Sequence, residues 1–139
     1  MTINEIQDEI IDDFSMFGDW MEKYEYIIDL GKTLPIIDEQ YKDEDHLIKG
    51  CQSKVWLHAD RQGADVVFTA DSDAIITKGI ISLLVKVLSN QSPEAVKDAD
   101  LYFIDKIGLK EHLSPTRSNG LVSMVKQMKL YGLALTQAQ

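Results

Sequence analysis

One hydrophobic segment limits the fold of this chain more than any other feature. Between residues 74 and 89 nearly every position is apolar, and only a few polar residues interrupt the isoleucines, leucines and valines. A helix that is apolar on almost all sides must be covered on all sides. The segment therefore predicts a central buried helix. Asp71-Ser72-Asp73 lie directly before it and are residue types that cap helices, so we expect them to begin this helix.

The segment before this helix has the alternation typical of strands. From Lys54 to Asp60, Val55, Leu57 and Ala59 are expected on one face, with Trp56 and His58 on the other. Arg61-Gln62-Gly63 forms the predicted turn, and residues 65–70 form a second strand rich in Val, Phe and Thr. A two-stranded hairpin is marginal alone, so helices must cover it. The predicted fold class is α+β, a small antiparallel sheet based on this hairpin and packed with helices.

Signals for helix starts and helix ends also occur in the sequence before the hairpin. Thr2 and Glu5 match a capping box, in which the hydroxyl and carboxylate satisfy backbone donors reciprocally. Asp19 can cap a second helix, and Gly31 is expected just after its end. Residues 36–47 are mostly polar and predict a connecting loop.

Two Ser-Pro pairs give further helix starts, with Ser as the cap and Pro in the first turn. Ser92-Pro93 predicts a short helix, and Ser114-Pro115 predicts the last helix of the chain. Gly79 and Gly120 fall inside helices, where glycine is unfavourable, and each is expected to mark a close backbone approach. We expect one domain over residues 1–139, with a frayed tail at 136–139.

Charge argues against several functions. The net charge is −9, and residues 1–45 hold 14 acidic against three basic residues. A nucleic-acid-binding protein needs a basic surface, so nucleic acid is not expected as a partner. The longest apolar stretch is too short to span a bilayer, and the polar start has no signal-peptide pattern, so we expect a cytoplasmic protein without membrane association.

Cys51 is the one cysteine, and it lies between a loop and a strand. A single thiol forms no internal disulfide and no multi-thiolate metal site, and it fits a reducing compartment. Gly50 permits a tight bend that presents the thiol, and Lys49 and Lys54 could favour its thiolate. Most free cysteines are small buried hydrophobic residues, and that interpretation stays open here. The polar flanks favour a functional thiol.

Two other residue types bear on chemistry. Arg117 falls in the first turn of the last helix, where a cation opposes the helix dipole. This placement indicates either a specific contact or a solvated surface side chain. His46, His58 and His112 have no familiar metal-ligand spacing, and no metal or cofactor is expected. His46 is the best histidine for a nucleophilic pair with Cys51.

The chain resembles the SufE family of sulfur-acceptor proteins in four ordered motifs within residues 3–135. They are Ile48-Lys49-Gly50-Cys51-Gln52-Ser53-Lys54-Val55-Trp56, the segment 19–31 beginning Asp19-Trp20-Met21, Asp71-Ser72-Asp73-Ala74 with Lys78-Gly79, and Leu113-Ser114-Pro115-Thr116-Arg117-Ser118-Asn119-Gly120-Leu121.

The resemblance implies both a fold and a function. The fold is the one shared with IscU-type scaffold proteins, a small antiparallel sheet with helices packed against it. Cys51 would accept sulfane sulfur as a persulfide from a pyridoxal-phosphate cysteine desulfurase of the SufS or CsdA type. The protein would stimulate that enzyme and relay sulfur to a SufBCD-type scaffold during iron–sulfur cluster assembly.

The resemblance also implies roles for neighbouring residues and leaves alternatives. Gly50, Gln52 and Ser53 belong to the acceptor loop, Asp73 packs beside it, and Arg117 matches the family's arginine near it. Whether the protein forms a homodimer stays open. Two other hypotheses are a cysteine-dependent enzyme that uses Cys51 with His46, and a noncatalytic protein-interaction module.

Overall fold

The structure, a computed structural model, describes residues 1–137. It contains six α-helices, one β-hairpin and three short 3₁₀ turns, in an α+β arrangement that confirms the predicted fold class. The helices and strands are α1 (Ile3–Ser15), α2 (Trp20–Gly31), β1 (Val55–Gln62), β2 (Asp65–Ser72), α3 (Ile75–Leu88), α4 (Pro93–Asp98), α5 (Phe103–Lys106) and α6 (Pro115–Gln137). The 3₁₀ turns are Glu39–Tyr41, Glu44–His46 and Lys110–His112.

Helix α3 is the centre of the core, as its composition predicts. Eleven of its 14 residues are buried. It packs against α2 so closely that a Cβ on Gly79 would overlap the backbone carbonyl of Ile27. Gly79 therefore marks the close backbone approach that the sequence predicted. In general a glycine inside a helix costs roughly 0.5–1 kcal/mol relative to alanine.

The two strands pair in antiparallel register, with Val55 opposite Ser72 and Gln62 opposite Asp65. Val55 and Leu57 point into the core and Trp56 and His58 do not, which confirms the predicted faces. Short bridges extend this small sheet on both sides. The backbone of Ile36 pairs with Ala70, and that of Leu47 pairs with Trp56. The bridges supply part of the cover that an isolated hairpin lacks.

Residues 71–73 do not cap α3, contrary to the sequence prediction. Asp71 and Ser72 are the end of β2, and α3 begins after Ala74 with no side-chain cap. Strand β2 continues through Ser72 because β1 supplies a pairing partner as far as Val55. The backbone of Asp71 and Ser72 therefore pairs within the sheet. The carboxylate of Asp73 instead accepts a hydrogen bond from the backbone N–H of Lys54, at 3.0 Å.

The other predicted caps are present. Thr2 and Glu5 form the reciprocal capping box, and Asp19 accepts a hydrogen bond from the backbone N–H of Glu22. The hydroxyl of Ser92 accepts one from Ala95, and that of Ser114 accepts one from Arg117.

Two helix ends differ from the sequence predictions. Gly31 is the last residue of α2 rather than its C-cap, because the end of α2 packs against the backbone of Gly79 in α3. The expected frayed tail covered residues 136–139, but residues 136 and 137 are the last of α6. Residues 138–139 lie outside the described part of the chain. No helix among residues 1–137 is both long and apolar enough to cross a bilayer.

Candidate functional site

The six residues 49–54 form a loop that is closed at its base. The backbone N–H of Ile48 donates to the carbonyl of Val55 at 2.8 Å, so the chain leaves and re-enters the sheet at the same place. Ile48 and Val55 are both buried, and they fix this base in the core. Cys51 lies near the middle of the loop. The loop is thus a short projection held by a rigid scaffold, which is a common position for functional residues.

Asp73 fastens the C-terminal end of this loop. Its carboxylate accepts the backbone N–H of Lys54, and its own backbone N–H donates to the carbonyl of Lys54 at 3.2 Å. The resemblance implied that Asp73 packs beside this loop, and the structure brings it into direct contact with the loop backbone. Lys54 is thereby fixed only three residues from Cys51.

Gly50 has the backbone conformation that the sequence predicted. Its φ is +92°, a region that side chains with a Cβ rarely adopt. A Cβ at this position would also come within 2.6 Å of the Ser123 hydroxyl oxygen in α6. The glycine therefore lets the loop turn and pass close to α6 at the residue immediately before Cys51.

Cys51 is half-buried against the core between the loop and α6. Its thiol donates to the backbone carbonyl of Gly120, with 3.6 Å between sulfur and oxygen. A Cβ on Gly120 would lie 3.4 Å from that sulfur. This is an ordinary van der Waals distance, so Gly120 does not mark the close backbone approach that the sequence predicted, and its nearest neighbour is the side chain of Cys51.

A cavity of about 300 Å³ opens beside the thiol. Gln52 and Ser53 contribute to its wall from the loop, and Ile80 contributes from α3. Thr116, Arg117 and Met124 contribute from α6. The apolar side chains of this cavity, Ile80 and Met124, come from α3 and α6.

The electrostatic environment keeps the thiol protonated. Burial raises the pKa of the Cys51 thiol above its ordinary value, because the thiolate would lose hydration. The sequence suggested that Lys49 and Lys54 would favour the thiolate. Both lysines are exposed, and neither is a cause of the shift in the pKa of Cys51. The hydrogen bond to the Gly120 carbonyl also favours the protonated form.

Arg117 lies at the rim of the cavity and is exposed. Its guanidinium donates to the Tyr24 hydroxyl in α2, with 3.1 Å between nitrogen and oxygen. This contact ties the first turn of α6 to α2, and Arg117 also contributes to the wall of the cavity. The sequence singled out Arg117, but nothing in it indicated Tyr24 as its partner.

His46 does not pair with Cys51. Its Nδ1 lies 2.7 Å from the Asp43 carboxylate, and its Nε2 lies 3.2 Å from Nδ1 of His58. His58 in turn contacts Asp60 through Nε2 at 2.9 Å. Both ring nitrogens of His46 are therefore occupied, and none of the residues that line the Cys51 cavity is a histidine.

The third histidine is also engaged elsewhere. The His112 ring stacks on Trp20, with 4.2 Å between ring centroids, and its Nδ1 contacts the Gly108 carbonyl. Among residues 1–137, no group of three or more His, Cys, Asp or Glu side chains is arranged to hold a metal ion.

Sequence reasoning missed most of the contribution of α6 to the site, since only Arg117 was expected near the loop, and only through the resemblance. Ser114-Pro115 predicted the helix and Gly120 predicted a close approach, but neither signal pointed to Cys51, 69 residues away from Gly120. The Gly120 carbonyl, Ser123 and Met124 become neighbours of the cysteine loop only through tertiary packing. Fold and site together define a small α+β protein that presents a single half-buried thiol on a closed loop.

Comparisons with known proteins agree with this class. Residues 8–131 match the SufE family, described as an Fe-S metabolism associated domain. An uncharacterised SufE-like protein of Rhizobium meliloti is 39% identical over 127 residues, covering 88% of this chain and 91% of the relative. A SufE-like protein of Rhizobium etli is also 39% identical, over 88% of this chain and 86% of the relative. The chain belongs to the SufE family, and its role lies in iron–sulfur metabolism.

A solved structure gives independent support for the fold. The solution structure of a hypothetical protein from Thermus thermophilus superposes with a TM-score of 0.77. The match covers 94% of this chain and 96% of the other, at 23% sequence identity. At that identity the comparison bears on the fold alone.

Proposed function

We propose that this protein is a sulfur carrier, which accepts sulfane sulfur on Cys51 from the persulfide of a cysteine desulfurase. The donor is a pyridoxal-phosphate enzyme of the SufS or CsdA type, and the recipient is a SufBCD-type scaffold. The observation that carries the proposal is the setting of Cys51. The only thiol of an iron–sulfur-metabolism protein lies on a closed loop, beside a cavity of about 300 Å³.

The transfer step is a thiol–persulfide exchange. The Cys51 thiolate attacks the outer sulfur of the donor persulfide, and a new S–S bond forms on Cys51. The S–S bond of the donor breaks, and the donor cysteine leaves as a thiolate that takes up a proton. The sulfane sulfur moves without net oxidation or reduction. The rate of such an exchange depends on the thiolate fraction, on the leaving group and on access.

The resting site supports the carrier function by keeping the thiol inactive. The thiol form, held by burial and by the Gly120 carbonyl, is a poor nucleophile toward oxidants and stray electrophiles. The reaction requires that the Cys51 proton be lost when the donor docks. Docking would move the loop, break the contact with Gly120 and place the sulfur near a positive charge.

Arg117 supplies a suitable positive charge at the edge of the cavity. A guanidinium stays charged at any physiological pH and donates several hydrogen bonds in a fixed geometry. In the proposed mechanism it stabilises the Cys51 thiolate or the persulfide anion after the loop opens. Gln52 and Ser53 lie next to the cysteine and line the same cavity, so their polar groups are available to the transferred sulfur.

Stimulation of the desulfurase follows from the same step. A desulfurase that holds its own persulfide cannot begin another turnover until that sulfur is removed. An acceptor that removes the sulfur therefore raises the rate of alanine formation from L-cysteine. We place this exchange in the cytoplasm, because an unpaired thiol carrier needs a reducing compartment.

The test measures alanine formation by a SufS-type and a CsdA-type desulfurase with and without this protein. The expected result is a faster reaction with the wild-type chain and none of that increase with Cys51→Ser. If Cys51→Ser stimulates as well as the wild-type chain, the protein is an activating interaction module and Cys51 is structural.

A further inference from the structure

The face of α6 next to the thiol site carries a second surface feature, an apolar groove of about 500 Å³. Its floor and walls are formed by aliphatic side chains from α6 and one from α5. They are Ile104, Leu121, Val122, Val125, Leu130 and Leu133. Val122 is 51% exposed, Leu130 is 45% exposed and Leu133 is 38% exposed. Three large aliphatic residues exposed on one helix face beside a groove are typical of a surface that binds a ligand or a partner protein.

All the charged residues that line this groove are lysines, namely Lys97, Lys110, Lys126 and Lys129. This concentration is unusual in a chain whose net charge is −9. Lys129 donates to the carbonyl of Ala99, and Lys97 lies 3.8 Å from the exposed carboxylate of Asp98. Among residues 1–137, neither Lys110 nor Lys126 forms an ion pair.

The lysines are distributed along the whole groove. Lys110 lies at its N-terminal end, because its carbonyl accepts a hydrogen bond from the Ser118 hydroxyl. Lys97 lies at the other end, because its backbone N is 3.0 Å from the Cβ position of Gly132. Lys126 lies between them on α6. A fatty acid carries one carboxylate at one end, so it would leave most of these charges without a partner.

The length of the groove also favours an extended ligand. The lining residues of α6 run from Leu121 to Leu133, a rise of about 18 Å at 1.5 Å per residue. This length corresponds to about three helical turns. An amphipathic helix binds such a groove with apolar side chains at every third or fourth position, and its polar flanks meet the rim.

We propose that this groove is a docking site for an acidic amphipathic helix of a partner protein. The apolar stripe of that helix packs on Val122, Val125 and Leu130, and its carboxylates pair with Lys110 and Lys126. The docked helix would lie beside the thiol site without covering it, since Arg117 and Gly120 belong to the adjacent face of α6. The inference rests on the groove alone and does not require that Cys51 carry sulfur.

The chain itself provides the sequence of a suitable probe. Helix α1 is an acidic amphipathic helix, with Ile3, Ile10 and Phe14 on its buried side and carboxylates such as Asp8 and Asp12 exposed. A fluorescein-labelled peptide of residues 1–17 is titrated with the full chain while its fluorescence anisotropy is measured. A peptide of the same composition, scrambled so that its apolar residues share no helical face, is the control.

Two pairs of charge-reversed variants distinguish the effect of the groove lysines on binding from the effect of net charge. Lys110→Glu combined with Lys126→Glu is expected to weaken binding by about tenfold or more. Lys32→Glu combined with Lys86→Glu changes the net charge equally at two residues that do not line the groove, and it should leave the affinity unchanged. Val122→Ser combined with Leu130→Ser should also weaken binding. Added salt should weaken it further, because salt screens exposed charges.

Several outcomes would overturn the proposal. They are the absence of saturable binding, equal affinity for the scrambled peptide, and equal effects of the two charge-reversed pairs. Laurate binding that depends on Val122 and Leu130, without peptide binding, would identify a fatty-acid site instead. Self-association in sedimentation equilibrium that is lost in Lys110→Glu/Lys126→Glu would identify a second copy of this chain as the occupant.

Discussion

The sulfur of Cys51 lies 3.6 Å from the carbonyl oxygen of Gly120, a residue 69 positions away along the chain. The two residues belong to a loop and to a helix that meet only in the folded protein. This contact links the protonation of the thiol to the position of α6. The effect of each neighbouring residue on the reactivity of the thiol can therefore be measured with a single substitution.

Gly120→Ala should separate stability from sulfur transfer. Alanine is favoured over glycine inside a helix, and its Cβ would lie at ordinary contact distance from the Cys51 sulfur, so stability should rise by roughly 0.5–1 kcal/mol. The added methyl takes space that a second sulfur atom needs, and persulfide formation should slow by roughly tenfold. Urea unfolding and the rate of sulfur transfer measure the two effects. Unchanged transfer in the stabilised variant would contradict the proposed use of this space.

Asp73→Ala should loosen the loop without unfolding the domain. Loss of the hydrogen bond to the Lys54 backbone costs about 1 kcal/mol, which increases opening of the loop by about fivefold. The rate of Cys51 alkylation by iodoacetamide should rise accordingly. Asp73→Asn keeps an acceptor oxygen and is the matched control, so its alkylation rate should stay closer to that of the wild-type chain. Equal rates in all three proteins would show that Asp73 does not fasten the loop.

Arg117→Ala should slow the transfer of sulfur to Cys51 by roughly tenfold, because it removes the positive charge beside the cavity. Arg117→Lys keeps the charge but loses the fixed geometry, and its effect should be intermediate. Tyr24→Phe removes the hydroxyl that Arg117 contacts while the charge stays, so it isolates the structural part of the contact. Transfer at the wild-type rate in Arg117→Ala would remove Arg117 from the site.

The pH dependence of alkylation reports the protonation of the thiol. Burial raises the pKa of Cys51, so the folded chain binds its proton more tightly than the unfolded chain does. The alkylation rate follows the thiolate fraction, and its midpoint should lie at a higher pH in the folded protein than in the same protein unfolded in urea. The stabilising effect of the protonated thiol is present below the unfolded pKa and is lost as the pH rises through the folded pKa. A midpoint at or below that of the unfolded chain would contradict the protected resting state.

Much of the fold could be predicted because local signals were consistent with it. The capping box at Thr2 and Glu5, the alternation in β1 and the apolar composition of α3 each specify an element directly. The predicted start of α3 was wrong because Asp71-Ser72-Asp73 can either cap a helix or end a strand. Pairing with β1 decided between the two, and pairing is a tertiary property.

Short elements held by distant partners could not be predicted. Helix α5 has only four residues, and the backbone N–H of its first residue, Phe103, donates to the side chain of Gln7 in α1. Gln7 is fully buried, and its amide also donates to the carbonyl of Asp100. A glutamine in a polar helix gives no sign of this function, since Asp100 and Phe103 lie more than 90 positions away along the chain.

The candidate site was predictable in its residues but not in its geometry. The Gly50-Cys51-Gln52-Ser53 motif and Arg117 could be named from the sequence, and the positive φ of Gly50 was anticipated. The partners of these residues were not, because the Gly120 carbonyl, Tyr24 and Ser123 reach the site from α2 and α6. The expectation that Lys49 and Lys54 would favour the Cys51 thiolate was also wrong. Both lysines are close to Cys51 in sequence, but neither is a cause of the shift in its pKa.

Sulfur transfer to Cys51 is tested most directly by the intact mass of this protein after incubation with a cysteine desulfurase and L-cysteine. SufS-type and CsdA-type donors are tried in parallel, and Cys51→Ser is the control. We predict that the wild-type chain gains one sulfur atom, that dithiothreitol removes it, and that the control gains none. A wild-type mass that is unchanged with both donors, while each donor forms its own persulfide, would contradict the sulfur-carrier function.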